Sequence, residues 1–224
     1  MSDGISALAL TLQLAAVSTA VLLLLATPFA WWLARTRARW KGAVEAAVAL
    51  PLVLPPTVLG FYLLLALGPR GPLGALAEAL GAAPLVFTFT GLVIGSVVYS
   101  LPFVVQPLQA SFEEIGSRPL DVAATLGAGP WDRFFTVAVP LARRGFLVAA
   151  VLGFAHTLGE FGVVLMIGGN IPGETRVVSI AIYDRVESLD YAGAHRLSVT
   201  LLALSFAVLL VVYTTSRRIR TWLR

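Results

Sequence analysis

The sequence predicts an all-α, polytopic membrane protein with five transmembrane helices. Three observations carry that prediction. The 224 residues are 58% hydrophobic and 12% charged, against about 25% charged in a soluble domain. The charges are segregated: residues 4–34, 46–69, 79–112, 145–159 and 197–216 carry none. The bases, 16 Lys and Arg against 12 acids, collect between these blocks in alternate connections.

A helix needs about 20 apolar residues to cross the hydrocarbon core. Four blocks reach that length, and Glu160 cuts the 145–159 block short. The expected spans are 8–34, 45–67, 86–110, 144–167 and 197–216. The first is not read as a cleaved leader. It has no basic start, since Asp3 is its only early charge, and it far exceeds an h-region of about 7–15 residues. The second span contains Pro51, Pro55 and Pro56, and the third Pro102 and Pro107 with Gln106 and Gln109. Proline inside a helix removes a backbone hydrogen bond and bends it. In lipid the freed carbonyls need partners, so both spans are expected inside a bundle or beside a cavity. Gly91 and Gly95 form a small-xxx-small pair that permits close helix contact. In the fourth span Glu160 falls about 22 Å along the axis. An intramembrane carboxyl is costly and marks a candidate functional site; His156, one turn earlier, is its expected partner.

Several classes drop out. The chain has no cysteine and two histidines, so no disulfide, thiolate or zinc-protease site is expected. The net charge of +4 is assigned to membrane topology rather than to nucleic acid. Arg35, Arg37, Arg39 and Lys41 follow the first span; Arg118, Arg133, Arg143 and Arg144 follow the third; Arg217, Arg218, Arg220 and Arg224 follow the fifth. With five spans these segments share one side, which the positive-inside rule makes cytoplasmic. The N-terminus is then outside and the C-terminus inside. Trp31, Trp32 and Trp40 are expected at the inner interface. Connections 68–85 and 168–196 are external, and the middle of the second, from Val177 to Asp184, is expected to form a short amphipathic helix.

Residues 121–140, DVAATLGAGPWDRFFTVAVP, form a mixed-polarity segment on the basic side. Ala123, Ala124 and Ala128 permit close approach, Gly127 and Gly129-Pro130 punctuate two short helices, and Asp121 is expected to cap the first. Asp132 and Arg133 offer polar contacts. No G-x-x-x-x-G-K-[ST] occurs in the chain, so it lacks the phosphate loop for ATP hydrolysis by that route. The energy for any transport comes from a partner or an ion gradient.

The segment resembles the EAA loop of binding-protein-dependent ABC importer permeases: E-A-A, three residues, G, nine residues, I-x-L-P. Asp121, Val122 and Ala123 stand at the E-A-A positions, Gly127 at the glycine, Val137 at the isoleucine and Val139-Pro140 at the end. The spacing matches without a gap, although Asp, Val122 and two further valines replace the usual residues. Four stretches, LPLVLPPTVLGFYLLL (50–65), TLGAGPWDRFFTVAVPLA (125–142), LGEFG (158–162) and NIPGETR (170–176), together resemble molybdate permeases of the ModB type. Sulfate and thiosulfate permeases share parts of them and stand as the alternative. An ion-coupled secondary transporter would show internal repeats, and none is evident.

The resemblance implies a type I importer (MetI-like) fold in one domain over 1–224, with its core at 8–216, a coupling loop at 111–143 and a periplasmic loop at 168–196. It implies a bacterial inner-membrane homodimer bound to two cytoplasmic ModC-type ATPases, which hold ATP-Mg, and to a periplasmic ModA-type binding protein. This chain would then hold no catalytic residue, cofactor or metal. Asp121, Val122, Ala123, Gly127, Val137 and Pro140 are its expected ATPase-coupling residues. His156, Glu160, Pro55 and Pro56 are candidates for gating or packing; Glu160 would repel a dianion and is not assigned to ligation. Arg176, in the external loop, is the candidate for contact with the anion or the binding protein.

Overall fold

α1 (Ser2–Arg35) runs through Pro28 without interruption, and α5 (Phe89–Ile115) runs through Pro102 and Pro107. The computed structural model describes residues 2–221; Arg224 lies outside them, as do the side chains of Arg217, Arg218 and Arg220. α1 packs along α5, and α9 (Arg143–Leu158) packs against both. One seam explains the contact. Leu22, Ala26, Ala30 and Leu33 of α1, at helical spacing, meet Val104, Val105, Leu108 and Phe112 of α5 and Ala149 of α9. Small residues let backbones approach closely, which matters in lipid because packing rather than water exclusion holds helices together.

Four stretches among the described residues are long and apolar enough to cross a membrane: Asp3–Arg35, Pro56–Ala79, Phe89–Ile115 and Tyr191–Leu210. Two shorter segments, Pro130–Leu141 and Arg143–Leu158, meet at 70° and make a fifth when counted as one span. The all-helical reading holds, with four to five candidate spans by length and composition; Pro130–Leu141 belongs to the 121–140 loop, and the expected fourth span 144–167 is not one continuous helix. α12 (Tyr191–Thr221) starts before the expected residue 197.

Two spans differ from expectation in kind. The stretch 45–67 is not one kinked helix. It is α2 (Lys41–Val53), a cut, and α3 (Pro56–Leu67), which continues after a short break into α4 (Pro72–Ala79). The cause is the Pro55-Pro56 pair. A residue before proline is pushed out of the helical region, and here that applies twice: Leu54 has ψ 136° and Pro55 has ψ 135°. The stretch 144–167 is likewise cut. α9 ends at Leu158, and α10 (Gly162–Gly168) begins after Gly159, Glu160 and Phe161. Glu160 thus sits in a helix break, not inside a continuous helix as its position in the sequence suggested.

α10 packs on α3 and on α5. The glycine pair lies at this contact: Gly95 faces Val163 and Ile167, and Gly91 also faces Ile167. The expected amphipathic helix is present as α11 (Val178–Glu187), with Val178, Ile180 and Ala181 buried. It packs against α12 and α1.

Candidate functional site

Three features of the described residues bear on function: a surface loop, the two helix breaks, and a polar clasp on the 168–196 connection.

The loop is α6 (Arg118–Thr125), a turn at Gly127, α7 (Pro130–Asp132), a π-helical stretch Arg133–Ala138 and α8 (Val139–Leu141). It is seated from beneath by Leu120, Phe134 and Ala138, which enter the core seam, with Val137 and Val139 packed against it. Trp31 lies between Phe112 and Phe134, with both ring-centroid distances 5.2 Å. Trp31 therefore seats the loop rather than lying only at an interface; Trp32 and Trp40 are the exposed rings. Arg35 donates to the Gly116 carbonyl at 3.0 Å and stacks over Trp31 at 4.4 Å. That bond brings the first two basic segments to one end of the bundle. Nearby, Lys41 pairs with Glu113 at 2.9 Å, and Gln109 donates to Glu45 at 2.6 Å and to Glu113 at 3.0 Å.

The outer face of the loop is apolar. Val122 and Leu126 project from α6 at i, i+4, and Trp131 and Phe135 project beyond the turn at the same spacing. Trp131 and Phe135 stack with centroids 6.2 Å apart. Leu126 is 82% and Trp131 77% exposed, so this knob is unusual for a segment carrying Asp121, Asp132 and Arg133. Among the expected residues, Val122 joins the knob, Ala123 is half-buried beneath it, Val137 faces inward, and Pro140 lies exposed in α8. Asp121 does not cap α6. Ser117 holds the cap position without a side-chain bond, and Asp121 follows in the first turn. Leu126, Trp131 and Phe135 were not singled out from the sequence, although their i, i+4 pairing was the available signal.

Gly127 makes the turn at φ +89°. A Cβ there would meet nothing within 4 Å, so backbone conformation rather than space demands glycine. A left-handed conformation costs an ordinary residue about 1–2 kcal/mol, and a β-branched one more. Gly127→Val is expected to tilt the knob and abolish uptake while the chain still inserts. Transport assays on membranes with matched protein content check this, and wild-type uptake would remove the turn from the coupling role.

The two breaks lie side by side. A Cβ on Gly162 would stand 2.8 Å from Pro56 Cβ, and one on Gly60 would stand 2.9 Å from Met166 Cβ. Pro55, Pro56 and Glu160 are thus brought into one region. His156 does not pair with Glu160. Its Nδ1 bonds Ser100 Oγ at 2.8 Å, and its ring stacks on Phe103 at 3.9 Å. Ser100 also bonds Thr157 at 3.1 Å. Glu160 is 4% exposed, and neither of its carboxyl oxygens has a hydrogen-bond partner among the described residues. Ser96 is the neighbouring hydroxyl. The backbone carbonyl of Glu160, by contrast, accepts from Ser179 at 2.6 Å.

Arg176 is held in the polar clasp. Its Nε donates to Asn170 Oδ1 at 2.6 Å, and its guanidinium lies 3.5 Å from Asp184, which also accepts from Asn170 at 2.7 Å. Thr175 donates to the Gly168 carbonyl at 2.6 Å and accepts from the Ile171 amide at 3.1 Å. NIPGETR thus ties the start of this connection to α11. No group of three or more His, Cys, Asp or Glu side chains suited to a metal occurs among the described residues.

A membrane bundle with an exposed apolar knob on the loop at its basic end, and interrupted spans behind it, has the form of a transport-system membrane subunit. The model of the family described as "binding-protein-dependent transport system inner membrane component" matches residues 26–221. The chain belongs to that family and is a multi-pass inner-membrane protein. The molybdenum transport system permease protein ModB of Azotobacter vinelandii is 64% identical over 213 residues, covering 95% of this chain and 94% of that protein. ModB of Escherichia coli (strain K12) is 38% identical over 184 residues, 82% of this chain and 80% of that protein. Among solved structures, a bacterial ABC transporter involved in the import of the acidic polysaccharide alginate matches with TM-score 0.80. At 19% identity it covers 98% of this chain and 80% of that one, and it supports the fold alone.

Proposed function

We propose that this chain is the permease of a molybdate importer driven by ATP hydrolysis in a separate subunit. Identity of 64% to a molybdenum permease over nearly the full length of both chains carries the choice of cargo. The knob on residues 121–140 supports the choice of machine. The chain has no phosphate loop, and an exposed apolar projection on a firmly seated loop suits insertion into a groove on an ATPase. Aromatic side chains that fill pockets supply most of the energy in such contacts.

In this reading the basic end is cytoplasmic. One loop per chain fits one ATPase per permease, hence a homodimer with two ModC-type ATPases that bind ATP-Mg. A ModA-type protein delivers the anion to the opposite face. Residues 111–143 form the coupling region and 168–196 the external one. Movement of the two docked ATPases pulls α6–α8, and through Trp31, Phe112 and Phe134 that movement reaches α1 and α5. The adjoining breaks at Pro55-Pro56 and Glu160 let α3 and α10 move without deforming a continuous helix. Arg176, already paired with Asp184, shapes the external loop rather than ligating cargo. Glu160 serves packing at the break.

The test is uptake into proteoliposomes holding the chain, its ATPase and the binding protein. Molybdate should enter with ATP only, tungstate should compete, and sulfate should not. Equal competition by sulfate would move the assignment to a sulfate permease. Uptake without ATP, driven by an ion gradient, would remove the ABC assignment.

A further inference from the structure

Glu160 is the only charged residue among the buried ones described. Both of its carboxyl oxygens are sealed from the surface and have no hydrogen-bond partner among the described residues. None of the ion pairs among those residues includes it. Its backbone carbonyl is held by Ser179 at 2.6 Å, which fixes the break on which it stands. The sealing matters. A second copy of the chain, a lipid headgroup or a base on a docked partner does not reach either oxygen, so the charge has to be balanced from within. An isolated carboxylate in such surroundings is strongly unfavourable, and buried charges are paired or bind metal ions.

The position of Glu160 enlarges the imbalance. It follows closely on α9, a helix of 16 residues that ends at Leu158. The last carbonyls of a helix lack intrahelical partners and carry partial negative charge, so an acid there stands at the unfavourable end of the dipole. α10 begins at Gly162, but it has only 7 residues, and its amides give the carboxyl no bond. The titratable neighbours supply no positive charge. Tyr99 lies nearby, and His156 is committed to Ser100 at 2.8 Å and to the Tyr99 and Phe103 rings. A proton would neutralise the carboxyl but satisfy only one of its oxygens. A metal cation engages both, because a carboxylate can bind a hard cation through two oxygens, and Ser96 adds a neutral hydroxyl beside it. A single negative charge in a medium of low dielectric is balanced by a single positive one, which selects a monovalent ion over a divalent one.

We propose that the break between α9 and α10 holds one alkali-metal cation, ligated by the Glu160 carboxylate and the Ser96 hydroxyl. The C-terminal end of an interrupted membrane helix is a general place for such an ion. The bound ion neutralises Glu160, so the break packs as an uncharged unit, and through Ser96 it ties α5 to the end of α9. The site takes no cargo, and it stands whether the cargo is molybdate or sulfate.

The experiment follows thermal unfolding of the purified chain in detergent at constant ionic strength, with NaCl or KCl replacing choline chloride, and measures radiolabelled Na+ or Rb+ retained at equilibrium dialysis. The wild type should unfold several degrees higher in one of the two metal salts than in choline, with a rise that saturates, as a ligand bound only by the folded state requires. It should retain a single ion per chain. E160Q keeps the shape and removes the charge. It should lose both the rise and the retained ion, and in choline it should unfold at or above the wild-type temperature. S96A should need about tenfold more ion for half the rise, and it carries the test if E160Q does not fold. E78Q removes an exposed carboxylate and should respond as the wild type does, which separates the site from a general salt effect. Equal unfolding temperatures of the wild type in choline, NaCl and KCl would overturn the proposal. So would an undiminished rise in E160Q, or an undiminished affinity in S96A. Stabilisation by acid alone, with no ion retained at any pH, would put a proton on Glu160 and overturn it as well.

Discussion

Replacing Leu126 and Trp131 with aspartate is expected to detach the ATPase from the membrane subunit. The two side chains stand at the tip of the knob, 82% and 77% exposed, so neither change disturbs the chain's own core. In the complex they would be buried, and a buried carboxylate without a partner is strongly unfavourable. Losing a central apolar anchor costs about 2 kcal/mol or more, roughly thirtyfold in affinity. Two such changes, each adding a charge, should leave no complex that survives purification. Tagged ATPase retained on the immobilised permease gives the readout, alongside ATP-dependent uptake. The inward-facing Leu120 and Phe134 are untouched, so membrane insertion and thermal stability should match the wild type. Full retention of the ATPase by the double variant would show that the partner docks elsewhere.

The prediction also shows where the sequence was legible. The spacing from Asp121 to Pro140 placed the loop, its glycine turn at Gly127 and its two helical halves, because turn chemistry is local. It did not show that Val122, Leu126, Trp131 and Phe135 are all exposed. That depends on which side of α6 meets the core, and Leu120 settles the matter through contacts with distant helices. The first, third and last spans were legible from apolar length, whereas the second and fourth are interrupted, and the second candidate runs from Pro56 to Ala79 rather than over 45–67. The Pro55-Pro56 pair carries a local signal for a cut, since each proline forces the residue before it out of the helix. The break at Glu160 carries only a weak one. Gly159 and Gly162 flank it, and isolated glycines persist in many membrane helices. His156 was assigned to Glu160 on helical spacing, but once the helix ends at Leu158 that spacing no longer applies. Its actual partner, Ser100, is 56 residues away, and nothing in the local sequence points there.

The contact between the two breaks yields the second large effect. Gly162→Val should destabilise the protein and stop transport, and Gly60→Ala should destabilise it less, because both glycines lie between α3 and α10 and alanine adds one carbon where valine adds three. A Cβ on Gly162 falls 2.8 Å from Pro56 Cβ and 3.4 Å from the Pro56 carbonyl carbon and the Thr57 amide. A proline ring and backbone at a cut between helices cannot turn aside, and valine adds two methyls to the collision. Over-packing of this kind costs about 1–3 kcal/mol, and the relief available is separation of α3 from α10. At Gly60 a Cβ would meet Met166 Cβ at 2.9 Å and the Val163 Cα at 3.1 Å, both fixed by the α10 backbone, so even alanine there should cost stability; only Met166 Cγ, at 3.1 Å, belongs to a part of the side chain able to re-pack. The thermal unfolding temperature in detergent should therefore drop most for Gly162→Val and by a smaller, measurable amount for Gly60→Ala. The knob is remote from both positions, so both variants should still retain the ATPase, while Gly162→Val should lose uptake. Transport by Gly162→Val at the wild-type rate would mean that the two breaks move independently, and the contact between Pro56 and Gly162 would then be packing without consequence for the cycle.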